Sequence, residues 1–216
     1  MNDRLAREKR NRAVVVLDFD GVLVIAPNHR NARQSCVKAL NRITGATGAV
    51  IVVSSAWRLS FELVELQGLL KTWEVKGEVV GTTPILNGLG WQPYIPREVE
   101  IRRWLIENPT RHFVIIDDDP DAGKGLRDRC ILTDGDVGLC RKHVGKAIGI
   151  LRRPYRGTFE IPTCPCQPEI QPRLTTGVNR FEWHDDQGVY KTPGLRKAHI
   201  GNAINILREK HENVIN

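Results

Sequence analysis

Three apolar stretches of this chain each end in side chains suited to phosphate chemistry. They are followed by Asp18 and Asp20 after residues 13–17, Ser54 and Ser55 after residues 49–53, and Asp117 and Asp118 after residues 112–116. Clustered carboxylates repel one another, and a hard cation such as Mg²⁺ offsets that charge with oxygen ligands. A small hydroxyl and the backbone N–H groups at a helix start bind phosphate oxygens. The combination predicts phosphoryl transfer to a carboxylate nucleophile, with Mg²⁺ as cofactor.

These side chains converge if the three stretches are parallel strands of one sheet. Their uncharged interiors are typical of strands that are buried on both faces. Short strands are also predicted at 78–80 and 129–133, and apolar residues at helical spacing separate the strands. Because strands and helices alternate, the predicted fold class is α/β, with a mostly parallel sheet covered on both faces. The carboxyl ends of such strands share one edge, where α/β proteins bind ligands.

The helices are predicted from apolar stripes in the stretches between the strands. The stripes lie at residues 32–43, 59–70, 101–105, and 139–151. In the second stripe the apolar residues fall at i, i+4, i+7 and i+11 from Leu59 to Leu70, so one continuous helix is expected there. Pro96 suits the start of the third helix.

Composition excludes several classes of protein. Of the 216 residues, 41% are hydrophobic and 26% are charged, which indicates one globular core. No apolar run approaches the about 18 residues that span a membrane, and the first residues lack the apolar stretch of a secretory signal. Five cysteines are an odd and sparse count, which favours a reducing compartment. We therefore expect a cytoplasmic protein with no membrane partner.

The chain is basic, with a formal net charge of +7 and a pI of about 9.4. Residues 1–12 hold five Arg or Lys, and residues 141–159 hold six and no acid. Such clusters favour a polyanionic partner, above all nucleic acid. A basic surface that only faces solvent has the same composition, so charge alone leaves both interpretations open.

The same motifs resemble those of a known family. Asp18-Phe19-Asp20-Gly21-Val22 matches the DxDG[TV] motif of haloacid dehalogenase (HAD) superfamily phosphatases. The strand that ends in Ser54 resembles their second motif, and residues 115–118 resemble their fourth. Residues 54–58 and 97–101 are similar to the group of nucleic-acid repair phosphatases. The resemblance covers residues 13–151 and implies a three-layer αβα, Rossmann-like HAD fold.

The resemblance also implies roles for the site residues. Asp18 would be the nucleophile that receives the phosphoryl group, and Asp20 would be the general acid and then the general base. Asp18, the backbone carbonyl of Asp20, Asp117 and Asp118 would hold Mg²⁺. Asp121 is an alternative second acid, in a spaced version of the fourth motif. Ser54 would form a hydrogen bond to the phosphoryl group being transferred.

The third motif of the family is a Lys or Arg that offsets the charge of nucleophile and phosphate. We assign it to Arg97, at the start of the predicted third helix. Arg102 and Lys124 are its rivals, because the position of this residue varies along the chain. An Arg at the surface can also serve only in an ion pair.

Three residues near Ser54 have alternative interpretations. Ser55 and Arg58 are candidate substrate-binding residues, since a guanidinium can clamp a phosphate with its planar fork. Ser55 can instead cap the next helix, and Arg58 can form a surface ion pair. Trp57 either packs in the core or offers a platform for a base.

The spacing of the motifs bears on the substrate. HAD enzymes often insert a cap domain, but the 33 residues between Asp20 and Ser54 leave room for little beyond one helix. The segment 81–96 leaves room for a small lid at most. Such an open site admits the end of a polymer, so the predicted substrate is a phosphorylated nucleic-acid end or a nucleotide. Two alternatives stay open: a nucleic-acid-binding module on a HAD scaffold without turnover, and a small-metabolite phosphatase.

We expect three parts along the chain. They are a basic N-terminal segment (1–12), the phosphatase domain (13–151), and a Pro-rich segment with a C-terminal helical extension (152–216). A helix predicted from about Leu195 in the extension would pack on the core or form an oligomer contact.

Overall fold

The computed structural model describes residues 12–26, 31–86 and 95–160. Five strands form one sheet in the order β3-β2-β1-β4-β5, and every neighbouring pair is parallel. The strands are β1 (Val14–Leu17), β2 (Val50–Val53), β3 (Val79–Thr82), β4 (Phe113–Asp117), and β5 (Cys130–Leu132). The predicted α/β class with a parallel sheet is confirmed.

Helices cover both faces of this sheet. The helices are α1 (Gln34–Thr47), α2 (Leu63–Thr72), α3 (Arg97–Glu107), and α4 (Arg141–Arg152). Successive side chains of a strand point to opposite faces, so Val15 and Leu17 of β1 join one buried cluster and Val14 and Val16 the other. Helices α1, α2 and α4 pack in the first cluster, and α3 packs in the second. The fold is therefore the expected three-layer αβα arrangement.

The direction of the strand order changes at β1. The chain passes from β1 to β2 and β3 on one side, and it then returns past β1 to β4 and β5 on the other. In open α/β sheets, ligands bind in the crevice beside such a reversal, outside the carboxyl ends of the strands. Asp18, directly after β1, and Asp117, the last residue of β4, flank this crevice.

The continuous helix predicted from Leu59 to Leu70 is wrong. A short 3₁₀ helix (Ala56–Leu59) ends first, and α2 begins anew after Glu62. Glu62 and Glu65 form a capping box, in which each side chain accepts a hydrogen bond from the other's backbone N–H. Leu59 is therefore 51% exposed, and Phe61 of the connection is buried instead. Apolar spacing alone does not reveal such a new start.

The described residues contain no cap domain between Asp20 and Ser54; a tight turn, α1 and β2 occupy that part of the chain. In the second gap, residues 87–94 of the predicted loop lie outside the described residues. No helix in the described part of the chain has both the length and the apolar character needed to cross a membrane.

The packed core extends past the predicted domain boundary at residue 151. The rings of Tyr155 and Phe159 stack with centroids 5.1 Å apart, and both pack against Phe113 of β4. Residues 1–11 and 161–216, which include the helix expected from Leu195, lie outside the described residues. The division of the chain into three parts thus stays a prediction.

Candidate active site

Asp18 and Asp117 lie side by side at the carboxyl edge of the sheet. The backbone N–H of Asp18 donates to the carbonyl of Ile116 (3.0 Å), which continues the β1–β4 pairing to the strand ends. Residues aligned across neighbouring strands point to the same face, so both carboxylates project towards α3. Both side chains are buried, and Asp117 has no exposed surface.

Arg97, the first residue of α3, joins these two carboxylates. Its Nη1 lies 3.0 Å from Asp18 Oδ1 and 2.9 Å from Asp117 Oδ2. Burial by itself would lower the pKa of Arg97, but the charges of Asp18 and Asp117 outweigh that effect and raise it well above its usual range. Arg97 is therefore a permanent cation between the two acids.

The rivals for the third motif lie elsewhere. Arg102 points to its own helix, where its Nε donates to Glu98 Oε1 at 2.7 Å. Lys124 is exposed on the connection between β4 and β5. Among the three candidates, Arg97 is the one that the structure brings into contact with Asp18.

Asp118 completes a cluster of three acids. One carboxylate oxygen each from Asp18, Asp117 and Asp118 lies within 4.8 Å of the other two. Asp118 Oδ2 also lies over Gly21, where an added Cβ would come within 2.1 Å of it. Gly21 has a φ of +70°, which glycine adopts without strain. The glycine of the first motif thus lets a carboxylate of the fourth motif approach closely.

The electrostatics of the cluster favour a bound cation. Burial raises the pKa of Asp117, and the negative charge of Asp18 raises it further. Burial and the charge of Asp18 also raise the pKa of Asp118 to about 6. Arg97 sets one positive charge against three carboxylates. The remaining charge and the all-oxygen donor set fit Mg²⁺, and Asp118 is exposed to solvent.

Asp20 stands apart from the cluster of three and contacts Trp57. The indole Nε1 of Trp57 donates to Asp20 Oδ2 at 2.8 Å. Trp57 itself is 5% exposed and held by other rings, with centroids 5.8 Å from Phe19, 5.8 Å from Phe61 and 5.7 Å from Trp73. Of its two interpretations, core packing is correct. No sequence pattern indicates that this core residue also orients the carboxyl group of Asp20.

Ser54 follows β2 with its side chain buried. Its backbone N–H donates to Leu17 O (2.9 Å), which sets it beside Asp18. Its Oγ is buried and has no hydrogen-bond partner among the described residues, and the same holds for Thr83 Oγ1 on the next strand end. A buried hydroxyl without a partner is unusual in a folded protein and indicates a missing water, ion or ligand. Ser54 therefore fits a hydrogen bond to a phosphoryl oxygen.

Ser55 and Arg58 have partners within the protein. Ser55 Oγ accepts from the backbone N–H of Trp57 (3.4 Å), so it caps the 3₁₀ helix. The Nη1 of Arg58 donates to the carbonyls of Ser54 (2.6 Å) and Ser55 (2.8 Å), and its Nη2 pairs with Glu100 of α3. Burial lowers the pKa of Arg58, although Glu100 opposes this. This geometry favours positioning of the Ser54–Ser55 turn over a grip on substrate; direct substrate contact by either residue stays a prediction.

Thr133, directly after β5, stabilises the turn of the first motif through a hydrogen bond. Its Oγ1 donates to the carbonyl of Gly21 at 2.8 Å, and the backbone N–H of Leu139 donates to Val22 O at 2.9 Å. Neither contact is predictable from the sequence, because a Thr after a short strand has no distinctive pattern. The loop between β5 and α4 is therefore part of the site.

Comparison with known protein families gives a match over the catalytic motifs. A family model described as "HAD domain in Swiss Army Knife RNA repair proteins" matches residues 14–144, which is more than half of the chain. The matched range contains all eight site residues predicted from the sequence. Comparison with curated proteins and with solved structures finds no match.

Proposed function

Since the chain belongs to the family of HAD domains in Swiss Army Knife RNA repair proteins, we propose that it is a Mg²⁺-dependent phosphatase for terminal phosphates of nucleic acids, or for nucleotides. The HAD membership supports a phosphatase-like function in general. The aspartate nucleophile, the metal and the substrate class are the specific parts of the proposal.

The observation that carries the proposal is the position of Arg97 between Asp18 and Asp117. A cation within 3.0 Å of both carboxylates offsets the charge of a nucleophile and of a metal ligand together. It also attracts the phosphoryl group that must approach Asp18 from outside the sheet edge, and fixed charge of this kind contributes strongly to catalysis. The arrangement thus suits attack by one anion on another.

In the first step, an oxygen of Asp18 attacks phosphorus and forms an aspartyl-phosphate. The bond from phosphorus to the leaving oxygen breaks, and Asp20 gives its proton to that oxygen. The hydrogen bond from Trp57 Nε1 holds the carboxyl group of Asp20 in one orientation. Ser54 Oγ donates to a phosphoryl oxygen during the transfer.

In the second step, Asp20 acts as a base. It takes a proton from a water molecule whose oxygen attacks phosphorus, and the bond between Asp18 and phosphorus breaks. Inorganic phosphate leaves, Asp18 is again a carboxylate, and Asp20 is again protonated. One group thus serves as acid and then as base, and the second step restores the starting state.

Mg²⁺ would be held by Asp18, Asp117, Asp118 and the backbone carbonyl of Asp20. The ion supplies positive charge that polarises a phosphoryl oxygen and reduces its repulsion from the nucleophile. Arg97 keeps its contacts with Asp18 and Asp117 on the α3 side, because each carboxylate has a second oxygen that can accept a metal.

Three features support a nucleic-acid substrate over a small metabolite. The family description names RNA repair proteins. The described residues between Asp20 and Ser54 contain no cap domain that would enclose a small substrate. The basic run 141–159 begins directly after the loop that braces the first motif. A polyanion therefore meets positive charge beside the candidate site.

The test is a phosphate-release screen with Mg²⁺ over 3′- and 5′-phosphorylated oligonucleotides, nucleotides and sugar phosphates. We expect release from oligonucleotides or nucleotides, and its loss in Asp18→Asn. The matched control is Asp121→Asn, an exposed carboxylate outside the cluster, which keeps its activity. Activity confined to sugar phosphates would favour the small-metabolite alternative, and salt-sensitive binding without release of phosphate from any ester would favour the binding module.

A further inference from the structure

We propose that the exposed face of α4 and the arginine-lined cleft beyond its end form a track for a single-stranded nucleic acid. The track binds the phosphodiester backbone of a strand whose terminal phosphate lies at Asp18. The inference rests on the proposed function, since it assigns the path that the rest of the substrate takes. We call residues 141–157 on this face the α4 track.

Helix α4 leads from the candidate site to the opposite edge of the sheet. Leu139, just before the helix, donates its backbone N–H to Val22 of the first-motif turn (2.9 Å). Tyr155, just after it, donates to the carbonyl of Arg111 (2.6 Å), which lies at the amino end of β4. The 12 residues of α4 rise by about 18 Å at 1.5 Å per residue. A strand that follows this helix therefore crosses the domain away from Asp18.

The exposed face of α4 carries positive charge and little else. Lys142 and Lys146 are exposed at i and i+4, which aligns them on one side of the helix. Exposed Arg153 follows the last residue of α4, and its Nε donates to the carbonyl of Gly149 at 3.2 Å. Gly145 and Gly149 lie on the same side, and a Cβ added to either would meet nothing within 4 Å. Glycine inside a helix costs about 1 kcal/mol relative to alanine, and packing among the described residues does not require it here. Bare backbone between cations lets an extended strand lie close to the helix.

A cleft of about 430 Å³ continues the track beyond α4. Arg129, Arg153 and Arg156 line it, together with Tyr155. Arg129 is 6% exposed, and its Nη1 donates to the carbonyl of Arg153 at 2.7 Å. Its Nε has no hydrogen-bond partner within the described residues and lies 3.4 Å from Asp128 Oδ2, the one carboxylate that lines the cleft. Three of the eight residues that line the cleft are thus arginines.

The cleft suits phosphates better than bases. The ring of Tyr155 already stacks on Phe159 at 5.1 Å, and the guanidinium of Arg129 lies 5.2 Å from its centroid. The ring is therefore already engaged in contacts within the protein. Exposed Arg156 and Arg153 remain as cations for a backbone, which predicts binding with little sequence preference.

Acidic residues near the track lie at its two ends. Asp134 and Asp136 are exposed in the loop before α4, and Asp134 Oδ1 accepts from the backbone N–H of Asp136 (2.9 Å). Arg33 lies against the same loop, with its Nη1 3.4 Å from the carbonyl of Asp136. Between these acids and Asp128 of the cleft, the residues of α4 include no acid.

The test compares Lys142→Gln/Lys146→Gln with a matched control, Lys71→Gln/Lys76→Gln, which removes two exposed lysines at and after the end of α2. Binding of labelled single-stranded RNA and DNA is measured by fluorescence anisotropy over a salt series. The track variant binds more weakly, and its slope of log K against log salt falls by about 1.4, because each lysine–phosphate contact contributes about 0.7. Arg156→Gln weakens binding of a dodecamer and leaves that of a dinucleotide unchanged.

Three results would overturn the track: an unchanged salt slope in the Lys142/Lys146 variant, an equal loss in the Lys71/Lys76 control, or equal affinity for dinucleotide and dodecamer. Measurement of phosphate release distinguishes a failure of the α4 track from a failure of the proposed function. Equal kcat/KM on a phosphorylated dinucleotide and dodecamer would keep the phosphatase and overturn the track. Length-dependent, lysine-dependent binding without release of phosphate would support the track and overturn the phosphatase.

Discussion

Replacement of Trp57 by Phe isolates the hydrogen bond that orients the general acid. The change removes the indole Nε1–H, which donates to Asp20 Oδ2 at 2.8 Å, and keeps an aromatic ring beside Phe19 and Phe61. The account assigns proton transfer to Asp20 and assigns to Trp57 only the positioning of that carboxyl group. The variant should therefore fold and bind substrate but protonate the leaving group poorly.

The expected magnitude follows from the bond that is lost. Asp20 becomes a charged carboxylate as it gives up its proton, and a hydrogen bond to a charged group contributes about 1.5–3 kcal/mol, which corresponds to between about tenfold and about 150-fold in rate. General acid catalysis as a whole contributes about 10²–10⁴-fold. Because Asp20 remains, Trp57→Phe should lose part of that factor, and we expect kcat/KM for an alkyl phosphate to fall by about tenfold or more.

The assay compares substrates with different leaving groups. A ribose or alkyl oxygen must be protonated as it leaves, whereas a nitrophenolate leaves readily without a proton. Trp57→Phe should therefore lower kcat/KM for the alkyl ester and leave kcat/KM for the nitrophenyl ester almost unchanged, because kcat/KM reports the steps up to formation of the aspartyl-phosphate and not its later hydrolysis. Trp73→Phe is the matched control, because Trp73 packs against the same Phe19 ring (5.5 Å) and its buried Nε1 has no hydrogen-bond partner among the described residues.

The reasoning is refuted by either of two results. Trp57→Phe with the same ratio of alkyl to nitrophenyl rates as the unmodified protein would show that the bond to Asp20 does not serve acid catalysis. Trp73→Phe with an equal change in that ratio would assign the effect to packing of the aromatic cluster.

Three further predictions concern the acids and their neighbours. Gly21→Ala should lower the free energy of unfolding by about 1–3 kcal/mol, measured by urea titration, because a Cβ there meets Asp118 and a non-Gly residue at φ +70° is strained. The control is Gly68→Ala on α2, where a Cβ has open space, and it should be neutral or slightly stabilising. In metal-free protein the pKa of Asp118 is raised to about 6 from an ordinary 3.8, so the folded state binds the carboxyl proton of Asp118 more tightly than the unfolded state does. The contribution of Asp118 to the free energy of unfolding therefore falls as pH rises from about 4 to beyond 6. The Mg²⁺-induced rise in Tm should accordingly be larger at high pH than at low pH, and equal rises would contradict the cluster as the metal site. Arg97→Gln should reduce kcat at least about tenfold, because it removes the cation whose Nη1 contacts both Asp18 and Asp117, while Lys124→Gln keeps full activity; equal losses in both would remove Arg97 from the third motif.

Much of the fold was predictable because its signals are local. Strands β1, β2 and β4 are buried on both faces, and such strands are continuous apolar runs that can be recognised without knowledge of their neighbours. The same runs end in the acids and the Ser of the motifs, so parallel pairing predicts that these groups converge. The break between Leu59 and α2 was missed, because the capping box of Glu62 and Glu65 lies within a stripe of leucines.

The supporting contacts of the site were not predictable in this way. Trp57 and Asp20 are 37 positions apart, and Thr133 and Gly21 are 112 apart. These pairs meet because of the lateral register of the strands and the exit direction of each loop, and neither has a sequence pattern. The ion pair of Arg58 with Glu100 was not predictable either, because it depends on how α3 packs over the sheet.

The central claim is that Asp18 is the nucleophile and Asp20 is the proton carrier. It is tested most directly by incubating Asp20→Asn with Mg²⁺ and a radioactively labelled nitrophenyl phosphate, followed by denaturation. A nitrophenyl leaving group needs no acid, so the aspartyl-phosphate still forms in this variant. Hydrolysis of the aspartyl-phosphate is slow, because the variant lacks the carboxylate that acts as the base. If Asp18 is the nucleophile, label stays on the protein, and hydroxylamine releases it as inorganic phosphate because hydroxylamine cleaves acyl phosphates. Label is absent from Asp18→Asn/Asp20→Asn. Label that persists in the double variant, or an absence of label from Asp20→Asn while nitrophenol is released, would contradict it.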